Sequence, residues 1–498
     1  MRRKIGLILS ILSLGIVANA AEVTTQAGGL AEAVADDITA TSLTVEGEIN
    51  AADIAFIAEK MTELTTLDLS GAKIVAYSGE SIITGKKEYA ENTLPAYSLM
   101  GTKISSIVLP SGLVEIGEAS LSSTPLASII IPGTVTTIGQ GAFSNCDELV
   151  SVELPASVTE VASHAFLDCD KLATVKCGAG ITNISQSMFA RCKSLSDVTL
   201  SDNVNVIEAK AFAGCSSLAN VAFPAKLIKI GDEAFQQTGL VEANMSLCES
   251  LTEIGEWAFS RCASLQKVVL NDNVSSIGEG AFFDNVQLAE FNVPASCTSI
   301  SDYMMKGDAN VINENLLHAG VAEIGDYSFM GMNNVSTFTL PASVMAVGNN
   351  AFEGWTALKE LNVVEHTDVP QLGENVWQGV DQSLATLNVS NATMYDAFSA
   401  ADQWSEFNIE ISDLTGVLER EMSDDCINVF FVGDNLMVKA TSEIVDMYIY
   451  DSLGRQCLNI APKCNELSID ASAWDCHIYI AKIVLVSGET LTMKIARR

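Results

Sequence analysis

The chain has 498 residues and a formal net charge of −35, with 48% hydrophobic but only 6% aromatic residues. Such acidity excludes nucleic acid as a partner, because phosphate contacts need a surface rich in lysine and arginine, and it opposes docking on anionic membranes. It fits an exported protein whose copies repel one another, with a core of stacked aliphatics rather than an aromatic-lined pocket.

Residues 1–20 read as a secretory signal. Arg2-Arg3-Lys4 precedes an apolar run from Ile5 to Val17, and Ala18-Asn19-Ala20 forms an A-x-A cleavage site. No cysteine lies there to take a lipid anchor. No later apolar run reaches the roughly 20 residues that span a bilayer, so no membrane insertion is expected. Residues 21–98 form an N-terminal capping segment. It holds a short strand at Leu43-Thr44-Val45-Glu46-Gly47 and a helix from Ala51 to Met61, with Asp53 near the helix start, where an acid meets free N–H groups. Leu64-x-x-Leu67-x-Leu69 then reads as a leucine-rich-repeat strand. The polar stretch from Tyr77 to Asn92 reads as an inserted loop.

Residues 99–360 repeat one motif of about 23 residues. Its phenylalanine recurs at Phe143, Phe166, Phe189, Phe212, Phe235, Phe259, Phe282, Phe329 and Phe352, and Met305 fills the one gap. A fixed period of this size marks a solenoid, in which each turn buries its apolar face on its neighbours. Within one copy, Leu149, Val152 and Leu154 alternate at strand period. Pro155 ends that strand, because proline cannot donate to a ladder. A second short extended piece ends at Val161, and Ala165-Phe166 is expected to enter a brief helical turn. Two copies depart from the pattern. The copy around Thr238 lacks the cysteine and a regular strand, and the copy around Met305 has an irregular one; both turns are expected to be distorted.

The recurring L-x-x-V-x-L-P-x-x-V-x-x-I-G-x-x-A-F-x-x-C resembles the BspA-like class of leucine-rich repeats, closely over 99–360 and more loosely over 43–98. The resemblance implies a leucine-rich-repeat solenoid, mostly β with short helical turns. It also implies a non-enzymatic surface protein that adheres to host matrix proteins, host cells or other bacteria. Residues 361–411 resemble the closing segment of such solenoids, with Trp377, Tyr395, Trp404 and Phe407 as a lid. Residues 415–498 alternate at strand period between turns at Gly433-Asp434-Asn435, Leu453-Gly454-Arg455 and Ser487-Gly488, which suits a small β-sandwich. Tyr448-Ile449-Tyr450-Asp451-Ser452-Leu453-Gly454-Arg455, Tyr479 and the Lys494-Ile495-Ala496-Arg497 ending resemble the C-terminal sorting domain of type IX secretion. That likeness implies export to the outer-membrane surface or release from it. Asp475-Cys476-His477 departs from the glycine that usually stands there.

Candidate sites follow the columns of the repeat. Leucine-rich repeats usually bind proteins on the outward strand positions. Here these are Ser151 and Glu153, Thr174 and Lys176, Asp197 and Thr199, Asn220 and Ala222, Lys267 and Val269, Glu290 and Asn292, Thr337 and Thr339, Glu360 and Asn362. The plainer reading is a solvated sheet face. Three residues before the column phenylalanine stand Asp232, Glu256, Glu279, Asp302 and Asp326. They either cap the N–H groups of the following turn or form a weak Ca²⁺ stripe. Cys146, Cys169, Cys192, Cys215 and Cys262 share one phase and are expected inside as small hydrophobes. The rung spacing of about 4.8 Å lies within disulfide reach, but a linear ladder offers no tetrahedral zinc site. Cys426, Cys457, Cys464 and Cys476 allow three pairings. The histidines His164, His318, His366 and His477 are scattered and match no metal or nucleophile motif, so neither catalysis nor a cofactor is expected. A glycan-binding alternative needs exposed aromatic side chains. The ladder positions lack them, whereas Trp257, Trp355, Tyr303 and Tyr327 fall on the turn side.

Overall fold

The computed structural model describes residues 19–79, 87–311, 316–363, 366–411, 427–432, 435–451, 455–471, 474, 478–486 and 490–496. The expected signal peptide lies outside these residues except for its last two positions. The chain divides into two units, 1–412 and 413–498.

The first unit is a solenoid of parallel strands. It starts with Ala20–Thr25 paired to Ser42–Ile49, which pairs in turn with Thr66–Ile74 and then Ser106–Val108. The helix Ala51–Lys60 is held by a capping box between Asn50 and Asp53. The Asp53 carboxylate also accepts the N–H groups of Gly28 at 2.7 Å and Leu30 at 3.0 Å. One buried acid thus joins the short helix Leu30–Ala33 to Ala51–Lys60 and needs no cation, because three backbone donors satisfy it. The Tyr77–Asn92 stretch, expected as a loop, is anchored by two antiparallel strands, Tyr77–Ser78 and Glu88–Tyr89.

Each regular rung then has three sides. The ladder strand comes first: Ser151–Leu154, Thr174–Cys177 and Asp197–Thr199 pair in register, Ser151 with Thr174 and Thr174 with Asp197. Alternate residues point inward, which buries Val152 and Leu154 and exposes Ser151 and Glu153. A two-residue strand forms the second side, as at Glu160–Val161 and Asn183–Ile184.

The third side is not the helical turn expected from Ala-Phe. Residues two before and two after the phenylalanine lie in the left-handed region, as His164 at φ 62° and Asp168 at φ 59° do around Phe166. This alternation turns every second N–H along the solenoid axis. Thus His164, Phe166 and Asp168 donate to Gln186, Met188 and Ala190 of the next rung at 2.9–3.0 Å. The N–H of Leu167 between them closes a tight turn onto His164 at 3.0 Å. An α-turn would keep its hydrogen bonds within one rung; here the stack takes half of them.

The phenylalanines pile face to face down the interior. Phe143, Phe166, Phe189, Phe212, Phe235, Phe259 and Phe282 stack at centroid spacings of 5.1–5.5 Å, with planes within 17° of parallel. Met305 is fully buried in the column between Phe282 and Phe329, where an adaptable thioether fills the space of a ring. The column ends on Trp377, stacked on Phe352 at 4.8 Å. Trp404 and Phe407 cover Trp377, and the helix Ala392–Ser399 brings Phe398 against Trp404. Tyr395, expected in this lid, is instead 40% exposed.

The turn at Thr238 is not distorted as expected. Its strand Glu242–Asn244 is present and pairs with Lys267–Val269. Thr238 takes the cysteine's place, donating from Oγ1 to Phe235 O at 2.9 Å. In the turn around Met305, residues 312–315 of the irregular strand lie outside the described residues.

The described residues of the second unit form a six-stranded antiparallel sheet. Its long strand Asn435–Asp451 pairs with Ile427–Val432 and Cys464–Asp470 through its first half, and with Gln456–Ile460 and Ile478–Leu485 through its second. The register shifts between Lys439 and Asp446, where the strand passes from one set of neighbours to the other. Leu436, Val438, Met447, Ile449, Tyr479 and Ile483 form its core. Cys464 is a half-buried free thiol, whereas Cys426 and Cys476 lie outside the described residues.

The stacked column carries the solenoid, so truncating one mid-column ring should be severe. Phe189→Ala is expected to cost about 3–5 kcal/mol, read as a fall in the solenoid's urea midpoint. Ser151→Ala on the outer face should stay within about 0.5 kcal/mol.

Candidate functional site

The ladder face sorts into residues that hold the face together and residues that stand free. Lys176 pairs with Glu153 and Lys267 with Glu290, each at 2.6 Å between neighbouring rungs. Both pairs are exposed, and such pairs contribute little to stability, but the partners neutralise each other's charge on the face. Asn292 bonds both polar groups of Leu270, accepting its N–H at 3.2 Å and donating to its carbonyl at 3.3 Å. It replaces ladder bonds where the strand lapses. Asn388 donates to both Glu360 and Asn362, at 2.9 and 2.8 Å. These residues of the expected site are clasps.

Ser151, Thr174, Asp197, Thr199 and Asn220 are exposed and make no side-chain hydrogen bond among the described residues. Thr337 and Thr339 are half-buried and equally unengaged. Two positions of this face went unnoticed in the sequence. Val108 pairs with Asp68 in the ladder and is 48% exposed; Ile130 has the same phase one rung later and is 86% exposed. The signal was available: Ile107-Val108-Leu109 and Ile129-Ile130-Ile131 are apolar through the outward position, where later copies carry Glu153, Lys176 or Thr199.

The acidic column has a third role beside the two considered. Asp232 accepts the N–H of Glu256 at 3.0 Å, Asp302 that of Asp326 at 2.7 Å, and Asp326 that of Asn349 at 2.7 Å. Each aspartate therefore caps the equivalent residue of the next rung, not a helical turn of its own. Glu256 and Glu279 accept no such bond among the described residues. Among the described residues, no three His, Cys, Asp or Glu side chains converge as a metal site.

The cysteine column is buried, and each thiol has a specific acceptor. Cys169, Cys192, Cys215 and Cys262 each donate at 3.1 Å to the carbonyl of a phenylalanine in the preceding rung. Trp355 reaches Phe329 in the same way through Nε1 at 2.8 Å. The thiol is a second, weak donor to carbonyls of which Phe143, Phe189 and Phe235 already accept the backbone N–H three residues on, from Cys146, Cys192 and Thr238. Burial pushes the thiols of Cys146 and Cys215 up to about 12 and that of Cys262 to about 11. They are inert structural groups.

Further along this column stand Asn285 and Asp308, both fully buried. Asn285 accepts the N–H of Cys262 at 2.8 Å, and Asp308 accepts the N–H of Asn285 at 2.7 Å. The second carboxyl oxygen of Asp308 has no hydrogen-bond partner among the described residues. Burial raises this carboxyl well above the usual carboxylate range. A strongly perturbed acid is a common mark of an active site, but this one is sealed inside the stack and meets no cleft.

Two measurements follow from these columns. A thiol reagent such as DTNB should leave the five column cysteines unmodified in the native protein and titrate them only after unfolding. For Asp308, the folded protein binds the proton more tightly than the unfolded chain. Stability therefore falls as pH rises from the unfolded value toward the folded one. Asp308→Asn should raise the thermal midpoint at pH 7, by a gain of about 1–3 kcal/mol, and raise it less at pH 4.

The fold has relatives among solved structures. A leucine-rich repeat protein from Bacteroides ovatus is 22% identical over 74% of this chain and 88% of its own, with a TM-score of 0.59. A leucine rich cell surface protein from Faecalibacterium prausnitzii is 24% identical over 63% of this chain and 87% of its own, with a TM-score of 0.38. No curated protein matches. A model of the BspA type leucine rich repeat region matches residues 92–218, 182–312 and 306–420. With its phenylalanine stack, its capped ends and about two thirds of its length matched, the chain belongs to the BspA type leucine-rich-repeat family.

Proposed function

We propose that this protein is an exported, surface-displayed adhesin that binds a protein partner through the ladder face, without catalysis. The observation that carries the reading is the exposed apolar pair Val108 and Ile130, on neighbouring rungs of a face whose other free positions are small and mostly polar, Ala222 and Val269 apart. Two neighbouring exposed β-branched side chains offer apolar surface that a protein partner can cover and remove from water. Around them, Ser151, Thr174, Asp197, Thr199 and Asn220 offer donors and acceptors that no intramolecular bond consumes. Parallel strands hold these groups in register, so many weak contacts add along one axis. Family membership supports protein binding as the general role. Among the described residues no helix is long and apolar enough to cross a membrane. The signal-like N-terminus and the sorting-like C-terminus support export and surface display.

The test is binding of the full chain to immobilised fibronectin, fibrinogen, laminin and collagen, and to intact bacterial cells. Val108→Asp combined with Ile130→Asp should weaken the retained interaction by about 1–3 kcal/mol while the thermal midpoint holds. Retention unchanged by this pair and by Thr174→Arg would remove the ladder face from consideration.

A further inference from the structure

The turn side carries a feature that neither the fold nor ladder-face binding uses. Trp257, Tyr303 and Tyr327 occupy one column, two residues before the core residues Phe259, Met305 and Phe329, with Gly280 between them. All three are half-buried and sit in the left-handed region, at φ 56°, 56° and 58°. That backbone is costly for bulky side chains. In other rungs the same position holds Gly141, Ser187, Lys210 or Asn350, so the solenoid itself has no need of aromatics there.

The side chains form a continuous row. Trp257 and Tyr303 lie 6.2 Å apart, and Tyr303 and Tyr327 stack at 4.9 Å. Phe283 meets Trp257 edge-on at 5.3 Å. The indole lies across Gly280, where an added Cβ would fall 2.4 Å from two of its ring carbons. Only glycine lets the indole lie flat against the backbone there. Lys306 stands 5.2 and 5.0 Å from the two tyrosine rings. Neither phenol hydroxyl has a hydrogen-bond partner among the described residues. A carboxylate stands immediately before each member of the row: Glu256 before Trp257, Glu279 before Gly280, Asp302 before Tyr303 and Asp326 before Tyr327. Glu256 and Glu279 are not engaged by the backbone, and Asp302 bonds only through one oxygen.

The geometry points to a binding strip for a neutral glycan, lying along the solenoid axis on the turn side. A pyranose ring presents an apolar C–H face and a rim of hydroxyls. The negative face of an indole attracts the C–H side, and carboxylates accept from hydroxyls through strong charge-assisted bonds. The row supplies both: the indole of Trp257 lying over Gly280, the stacked rings of Tyr303 and Tyr327 two rungs on, and carboxylate oxygens of Glu256, Glu279 and Asp302 beside them, spread along the axis as a chain of sugars would be. The carboxylate row repels uronic and sulfated chains, and that makes the ligand neutral. A protein hot spot would differ, because it needs a desolvated pocket ringed by contacts that exclude water, whereas this row is shallow and edged with charge.

The test uses the full chain in affinity electrophoresis against mannan, laminarin, xylan and galactan, with heparin as the anionic control. Retention by at least one neutral polysaccharide and none by heparin is expected. Trp257→Ala, and Tyr303→Ala with Tyr327→Ala, should each weaken that retention about tenfold or more. Gly280→Leu, which displaces the indole, should do the same, while Ile130→Asp on the ladder face should not. Thermal midpoints of all variants separate lost binding from lost folding. The proposal is overturned if no neutral polysaccharide is retained, or if folded Trp257→Ala retains it as the parent does. It is equally overturned if these variants abolish capture of a protein ligand and leave polysaccharide retention intact.

Discussion

The regular rungs of this solenoid satisfy their backbone on their neighbours. The ladder strands do so by ordinary parallel pairing. The turn side does so by alternating left-handed residues, which aim every second N–H at the next rung. A buried polar group without a partner costs about as much as a lost hydrogen bond, so the stack cannot be shifted by one residue on any side. That single constraint explains the fixed period near 23 residues, the in-register phenylalanines, and the columns of like residues around the outside.

The columns divide the labour. Thiols in one column donate to phenylalanine carbonyls. Aspartates in another cap the next rung's N–H. Lysine–glutamate pairs clasp neighbouring rungs on the outer face. Residue type at these positions answers to the stack before it answers to any ligand. Function is therefore to be sought where a residue departs from what the stack requires: Val108 and Ile130 on the ladder, and Trp257, Tyr303 and Tyr327 on the turn side.

Both ends of the stack meet the same constraint in different ways. At the start, Asp53 gathers three backbone N–H groups and ties two helices over the first strands. At the finish, Trp377, Trp404 and Phe407 cover the last phenylalanine face. An uncovered terminal rung would expose an apolar face of core composition.

The sequence by itself determined the period, the inward positions and the parallel stacking, because apolar spacing is a property of the chain alone. The columns could be read from it as well, including Cys169 with its neighbours and the acids from Asp232 to Asp326. What each column does was decided by tertiary structure. A helical turn and a left-handed crossing turn share the same Ala-Phe pattern, and they differ only in whether the bonds close within a rung or across to the next. Capping of the following rung by Asp302 and Asp326 depends on that crossing, so it could not be inferred from one copy of the repeat. The same holds for the ladder face, where Lys176, Asn292 and Asn362 looked as available as Thr174. Only the distances between rungs show which of them their neighbours already hold, because a partner 23 residues away in sequence becomes adjacent only once the stack has formed.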